Sequence, residues 1–236
     1  MVNIYLWQND LFVAKSSVFD MIGPVMIGPS SSHTAGVVRI ARVAIRILRT
    51  KPEEALVTFY NSFARTYEGH GSDRAIVAGL LDFKTDDKRI KNAFDHAKKA
   101  GLKYTFKPVG NASTLHPNTI KLQLKAGDQE VEVVGESLGG GVINIAEING
   151  FPSNFSAKMH SLIIKADDAP GSIAHIANVI SQDDCNIATM SVSRKGKHDE
   201  AWHMIEMDSG LRAITIEYLK SLNWIHDVIY IPDIDL

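Results

Sequence analysis

Gly28-Pro29-Ser30-Ser31-Ser32-His33-Thr34-Ala35-Gly36, running into Val37-Val38-Arg39-Ile40-Ala41-Arg42, sets the order of elements in the first half of the chain. An apolar run, Val18 to Ile27, stops at the Gly-Pro pair, and a strongly periodic helix begins near Thr34. Three serines, a histidine and a threonine therefore stand where a helix starts. The first-turn amides of a helix lack internal partners, and the helix dipole is positive there. Small hydroxyl residues at that position suit a carboxylate or a phosphate. They suit an ordinary N-cap equally, since one Ser or Thr is enough to close a helix start. The spacing leaves both readings open.

Outward from this run the pattern is legible. Val38, Ala41, Ile45 and Leu48 form an apolar stripe, with Val37, Ile40, Ala44 and Ile47 beside it. Arg39, Arg42, Arg46 and Arg49 make a basic stripe, read as a solvated face or as the seat of an acidic partner, and Lys51-Pro52 ends the helix. A strand over Ala55–Asn61 follows. Then comes Gly69-His70-Gly71-Ser72-Asp73-Arg74, a tight element in which Ser72 or Asp73 caps a helix through Leu81. A helix over Lys88–Ala100 closes on Gly101. Strands are expected at Tyr104–Val109, Thr119–Ala126, Glu130–Val134 and Val142–Glu147, the last pair joined through the glycines 139–141 as a hairpin or bulge. That glycine run lacks the Lys-Ser/Thr ending of a phosphate-binding loop. Residues 1–15 read as a short strand or arm.

Asn149 to Ala157 is rich in turn residues and reads as the boundary between a first domain, 1–157, and a second, 158–236. Beyond it the order is strand Met159–Ala166, helix Gly171–Ser181, strands Asn186–Arg194 and Ala201–Met207, helix Ile214–Leu222 and strand Ile225–Ile231. This βαββαβ order predicts a ferredoxin-like antiparallel sheet with two helices on one face. The fold class is α+β, with a mixed sheet in the first domain.

Composition excludes several function classes. A formal net charge of −2, from 25 basic and 27 acidic residues, argues against nucleic acid or a membrane surface as partner. No apolar run approaches the ~20 residues needed to span a bilayer. The opening residues lack a basic n-region and a small-residue cleavage site, so a cytoplasmic chain is expected. Cys185 is the only cysteine, which excludes an internal disulfide and a metal cluster held by several thiolates of this chain. Its apolar context predicts a buried structural thiol.

Two resemblances follow from these residues. Asp168-Ala169-Pro170-Gly171-Ser172-Ile173, with Cys185-Asn186-Ile187 opening the next strand, resembles an ACT domain, a small amino-acid-sensing module. It implies an effector site at Asp168, Gly171, Ser172, Asn186 and Ile187 and a homodimer through the module. The occupant, whether serine, another amino acid or a monovalent cation, is left open. Ser17-Val18-Phe19-Asp20, the run from Gly28 to Gly36, Gly69-His70-Gly71-Ser72-Asp73-Arg74-Ala75, His116-Pro117-Asn118-Thr119 and Ser137-Leu138-Gly139-Gly140-Gly141 together resemble the β chain of iron–sulfur-dependent L-serine dehydratases. This likeness covers roughly residues 16–150. Single-chain relatives commonly carry Thr where this chain has Ser72, and residues 1–15 lie outside the motif.

The second resemblance implies a lyase that converts L-serine to pyruvate and ammonia without pyridoxal phosphate. It implies an α subunit as partner, which carries the [4Fe-4S] cluster that assists the leaving hydroxyl, and no activity from this chain alone. It also implies a first domain like the allosteric substrate-binding fold of some phosphoglycerate dehydrogenases. For the Cα proton a histidine suits a neutral-pH base, and His70 and His33 are the candidates, with His116 behind them. His70, left reachable by its flanking glycines, is the preferred one; the alternative is that Gly-His-Gly is merely a turn with a capping role. Ser30, Ser31, Ser32 and Thr34 are then carboxylate ligands, with Gly71, Ser72 and Asn118 as further substrate contacts. Asp73 and Arg74 read as an exposed ion pair or an α-chain contact. His175, His198, His203 and His226 share no ligand spacing and are expected to be surface or core histidines.

Overall fold

The computed structural model describes residues 24–110, 114–194, 196, 197 and 199–234. The arm read at 1–15, the Ser17–Asp20 motif, most of the apolar run before Gly28, and His198 lie outside the described residues.

Ser30 is extended, and its hydroxyl accepts from His33 N, as an N-cap should. The chain then makes one wide π-helical turn, Ser31–Gly36, before the regular helix α1, Val37–Leu48. There follow β1 (Glu54–Tyr60), a short helix α2 (Asn61–Thr66), α3 (Ser72–Leu80), a 3₁₀ turn (Lys88–Asn92) and α4 (Ala93–Ala100). Strands β2 (Lys103–Val109), β3 (Thr119–Ala126), β4 (Gln129–Gly139), β5 (Val142–Ile148) and β6 (Phe151–Phe155) complete the first half. They form a six-stranded sheet in the order β2-β1-β3-β4-β5-β6. Only β1 and β2 run parallel, so the sheet is mixed as expected. The three consecutive glycines turn β4 into β5 with positive φ at each, the hairpin that their spacing predicts.

The basic stripe of α1 departs from its reading as a solvated face. Arg39 and Arg42 are only 8% and 7% exposed. Arg39 donates to Gly141 O, and Arg42 donates to Ile234 O and, at 3.0 Å, to Asp82. Arg46 reaches both oxygens of Asp82, and Arg49 pairs with Asp227. The acidic partner of the stripe thus lies in the same chain. A buried guanidinium is tolerable because each of these is hydrogen-bonded.

Two further differences matter. The stretch 149–157 contains β6, an edge strand on which Phe151, Ser153 and Phe155 alternate inward. Pro152 sits outward on that edge, where a missing N–H removes no ladder bond. The cap expected at Ser72 or Asp73 is instead the backbone of Gly71, at φ 71°. Asp73 Oδ1 accepts from Arg74 N, and the Arg74 guanidinium lies over the Phe94 ring, so this pair serves local structure.

The second half has β7 (His160–Asp167), α5 (Ser172–Ser181), β8 (Ile187–Arg194), β9 (Glu200–Met207), α6 (Ala213–Ser221) and β10 (Ile225–Ile231). Its sheet runs β10-β7-β9-β8, all antiparallel, the ferredoxin-like order. Leu162, Ile164 and Ala166 pack with Ile176, Ile180 and Leu219 beneath the helices. Ile163, Trp202, Met204, Ile229 and Ile231 point the other way and join the core of the first sheet. Phe151 stacks on Trp202 at 4.7 Å across that junction. This sheet is consequently covered on both faces, which is why almost every residue of β9 is buried.

Candidate functional site

The site grows from the π-helical turn. A turn one residue wider than an α-helix is uncommon and concentrates at functional positions. Here it is pinned to β4: Ser137 Oγ donates to Ser32 O at 2.9 Å, over Gly36. A Cβ at Gly36 would come within 2.2 Å of that hydroxyl, so only glycine permits the contact. Asn118 braces the same point. Its backbone carbonyl accepts from Ser137 N, its Nδ2 approaches Ser137 O at 3.4 Å, and its amide donates to His116 Nδ1. The loop bearing His116 is tied down by Asn61 Nδ2, which donates to Leu115 O, and by Ser62 N, which donates to Pro117 O.

His33 projects from the turn toward α2. Its Nε2 lies 3.1 Å from Thr66 Oγ1, and its Nδ1 lies 3.3 Å from Ser30 Oγ and 3.2 Å from Ser32 Oγ. The proton positions follow from the partners. Thr66 Oγ1 spends its own proton on Ser62 O at 2.8 Å, so it accepts from His33 Nε2–H. Nδ1 of the neutral ring is then the acceptor for a serine hydroxyl. Phe63 meets the ring edge-on at 4.8 Å.

His70 lies beside it, with ring centroids 4.6 Å apart. Its backbone N–H donates to Thr66 O at 3.0 Å, and its Nδ1 stands 3.3 Å from the same oxygen. A carbonyl only accepts, so Nδ1 holds the proton and Nε2 keeps its lone pair. The His70 side chain is exposed, and its Nε2 has no hydrogen-bond partner among the described residues. Burial, and secondarily the neighbouring His70, hold the His33 pKa below the ordinary histidine value. The pair can therefore do two different things: an exposed imidazole with an open basic nitrogen, and a neutral one fixed between hydroxyls.

The remaining predicted residues divide. Ser31 is half-buried, and its hydroxyl makes no hydrogen bond among the described residues, so it is open to a ligand. The hydroxyls of Thr34 and Ser72 are buried with no hydrogen-bond partner among the described residues, and neither is on an open surface in this conformation. Asn118 is occupied as a brace. Thr66 and Ser137, which carried no role in the sequence reading, hold the arrangement together. The signal for Thr66 is its spacing: Ser62, Thr66 and His70 recur every fourth residue, as on one face of a helical turn.

The residues read as an effector site do not meet within one chain. Asp168 pairs with Arg194 at 2.6 Å, next to Gly171 (φ 88°) and Ser172 at the start of α5. Asn186, bonded to Asp208, and Ile187 stand at the opposite end of β8, roughly 24 Å away at the usual strand rise. Cys185 is buried and donates to Ser209 O. His203 is buried with neither ring nitrogen partnered among the described residues, while His175 meets Tyr218 OH and His226 meets Asp167.

Sequence comparison bears on this geometry. A family model described as "Serine dehydratase beta chain" matches residues 17–147, which span the π-helical turn, both histidines and the braces. The chain is 45% identical over 217 residues to the "Probable L-serine dehydratase, beta chain" of Bacillus subtilis (strain 168), covering 92% of this chain and 98% of that one. It is 36% identical over 206 residues to the "L-serine dehydratase, beta chain" of Peptoniphilus asaccharolyticus, covering 87% and 91%. It is also 28% identical over 164 residues to the "D-3-phosphoglycerate dehydrogenase" of Bacillus subtilis (strain 168), covering 69% of this chain and 30% of that protein.

Proposed function

Because the chain belongs to the serine dehydratase beta chain family, we propose that it supplies the histidine- and hydroxyl-bearing half of an L-serine dehydratase active site. An α subunit completes that site. The observation that carries this reading is the 4.6 Å approach of His33 and His70, one ring locked between hydroxyls and the other with an open Nε2.

Loss of water from serine requires removal of the Cα proton, departure of the hydroxyl and anchorage of the carboxylate. For the second task a [4Fe-4S] cluster held by the partner chain would supply Lewis-acid help to the departing hydroxyl. This chain's own residues do not fit such a cluster. Cys185 is its one thiol and is buried, and no group of three or more His, Cys, Asp or Glu among the described residues could hold a metal.

For the proton, His70 Nε2 is the base. It is exposed at the surface, and its other nitrogen is steadied by Thr66 O. For the carboxylate, Ser31 Oγ is the donor, together with the amides of the turn that precede His33 N and Thr34 N, which already donate to Ser30; the helix dipole adds its attraction for an anion there. His33 keeps Ser30 and Ser32 oriented through Nδ1. Once His70 has taken the substrate proton, its charge further disfavours protonation of His33, so the pair carries one positive charge and not two. The resulting 2-aminoacrylate tautomerises to the imine, and water converts that to pyruvate and ammonia.

The second half is assigned, on its ferredoxin-like sheet and the Asp168–Ser172 loop, to an ACT-like module. Two copies with antiparallel β8 edges would bring Asn186 and Ile187 of one copy to Asp168 and Gly171 of the other. Val192, 40% exposed on that edge strand, favours such a homodimer. Light scattering that finds a monomer, and calorimetry that finds no binding of L-serine or potassium, would remove this assignment. A purely regulatory, serine-sensing chain is the competing reading. Anaerobic reconstitution with the α chain, iron and sulfide separates the two. The proposal expects pyruvate only when both chains are present, and full turnover by the α chain alone would sink it.

A further inference from the structure

The far end of α1 borders a cavity of about 660 Å³ that no part of the serine chemistry uses. It lies where the carboxyl-terminal ends of α1, α3 and α4 converge. Its floor is apolar, built from the buried side chains of Ile45, Leu80 and Leu102. Around it stand five Lys and Arg side chains, His96 and one carboxylate, Asp82. Three of the five are answered: Arg46 by Asp82, Arg49 by Asp227 and Arg89 by Asp87. Lys51 and Lys99 make no ion pair or hydrogen bond among the described residues.

Cations near helix carboxyl ends are ordinary complements to the dipole. Here, however, backbone N–H groups already close the three ends. Arg49 N donates to Ile45 O, Phe83 N to Ala78 O, and Leu102 N to Ala97 O. The two ammonium groups are therefore not required to satisfy those carbonyls. An apolar floor of this size with two unanswered cations at its rim is the form of a site for a small organic anion. We propose that this cavity binds a compact organic anion, its apolar body on Ile45, Leu80 and Leu102 and its carboxylate or phosphate at Lys51 and Lys99. The site is separate from the His33–His70 surface, at the other end of the same helix.

The test is a methyl-detected NMR titration of the full chain with three probes of one shape: 1-naphthoate, 1-naphthyl phosphate and 1-naphthylmethylammonium. The two anions should give saturable shifts centred on the methyls of Ile45, Leu80 and Leu102, and the ammonium should give none there. The tighter of the two anions identifies the headgroup. The exposed double variant Lys51→Ala, Lys99→Ala should keep the wild-type melting temperature and bind the anions at least about tenfold more weakly. Equal binding of the ammonium, shifts centred elsewhere, or unchanged anion affinity in the double variant would each overturn the proposal.

Discussion

Thr66→Val is the substitution that discriminates best among accounts of the paired histidines. Valine keeps the β-branch and the shape, so α2 pays no new conformational cost. What disappears is one hydroxyl that accepts from His33 Nε2 at 3.1 Å and donates to Ser62 O at 2.8 Å. Two hydrogen bonds at about 0.5–1.5 kcal/mol each set the loss of stability at about 1–3 kcal/mol. The lower half of that range is expected, because His33 is only half-buried and water can take up its N–H. The Thr66 carbonyl remains, so His70 stays in place. The predicted consequence is local: His33 loses the partner that fixed its proton on Nε2. One hydrogen bond of about 1.4 kcal/mol corresponds to a tenfold change in tautomer ratio. Imidazole ¹⁵N shifts in the full chain read that ratio directly. Turnover of the complex reconstituted with the α chain should fall about tenfold, and Thr66→Ser should restore both signals. A His33 tautomer unchanged in Thr66→Val, or no rescue by serine, would refute the proton assignment.

Other expected outcomes follow from the same geometry. Gly36→Ala pushes a methyl against Ser137 Oγ and should cost about 1–3 kcal/mol by denaturant melting, with a smaller cost in a Ser137→Ala background, where only the Ser137 Cβ, 3.0 Å from the new methyl, remains in the way. Phe151→Ala removes the ring stacked on Trp202 and should cost about 3–5 kcal/mol, showing that β6 belongs to the core. Burial lowers the pKa of both His203 and His33 in the folded chain. The unfolded chain therefore binds these protons first, and stability falls as pH drops below about 6.5 and through the folded values. His203→Leu should flatten that acid slope and be neutral or stabilising at pH 8, since it removes two unpartnered buried nitrogens. An unchanged slope in His203→Leu would remove His203 from the account.

Elements whose periodicity is carried by many residues were legible in the sequence. The apolar stripe of α1 and the βαββαβ spacing of the second half both appear where the pattern put them. Elements and contacts set by tertiary partners were not. Arg39 and Arg42 look like a solvated face until the β4–β5 hairpin and the chain end supply carbonyls for them. β6 hid behind Pro152 and two asparagines, although Phe151, Ser153 and Phe155 alternate as an edge strand should. The same limit shaped the candidate site. Its two histidines were visible as polar residues beside glycines. Thr66, which joins them, ends a six-residue helix, and its four-residue spacing from Ser62 and His70 points to a role only once the contacts of the two histidines are known. Thr34 and Ser72 had the right chemistry for a ligand, and packing closed both away from solvent.

The central claim is that this chain brings the base to a site shared with its partner. Its most direct test is pyruvate formation by the complex reconstituted with the α chain, comparing the unaltered chain with His70→Ala and measuring serine affinity separately. The account predicts turnover reduced by roughly 10²–10⁴-fold in His70→Ala with serine binding nearly unchanged. Turnover unchanged in His70→Ala would contradict it.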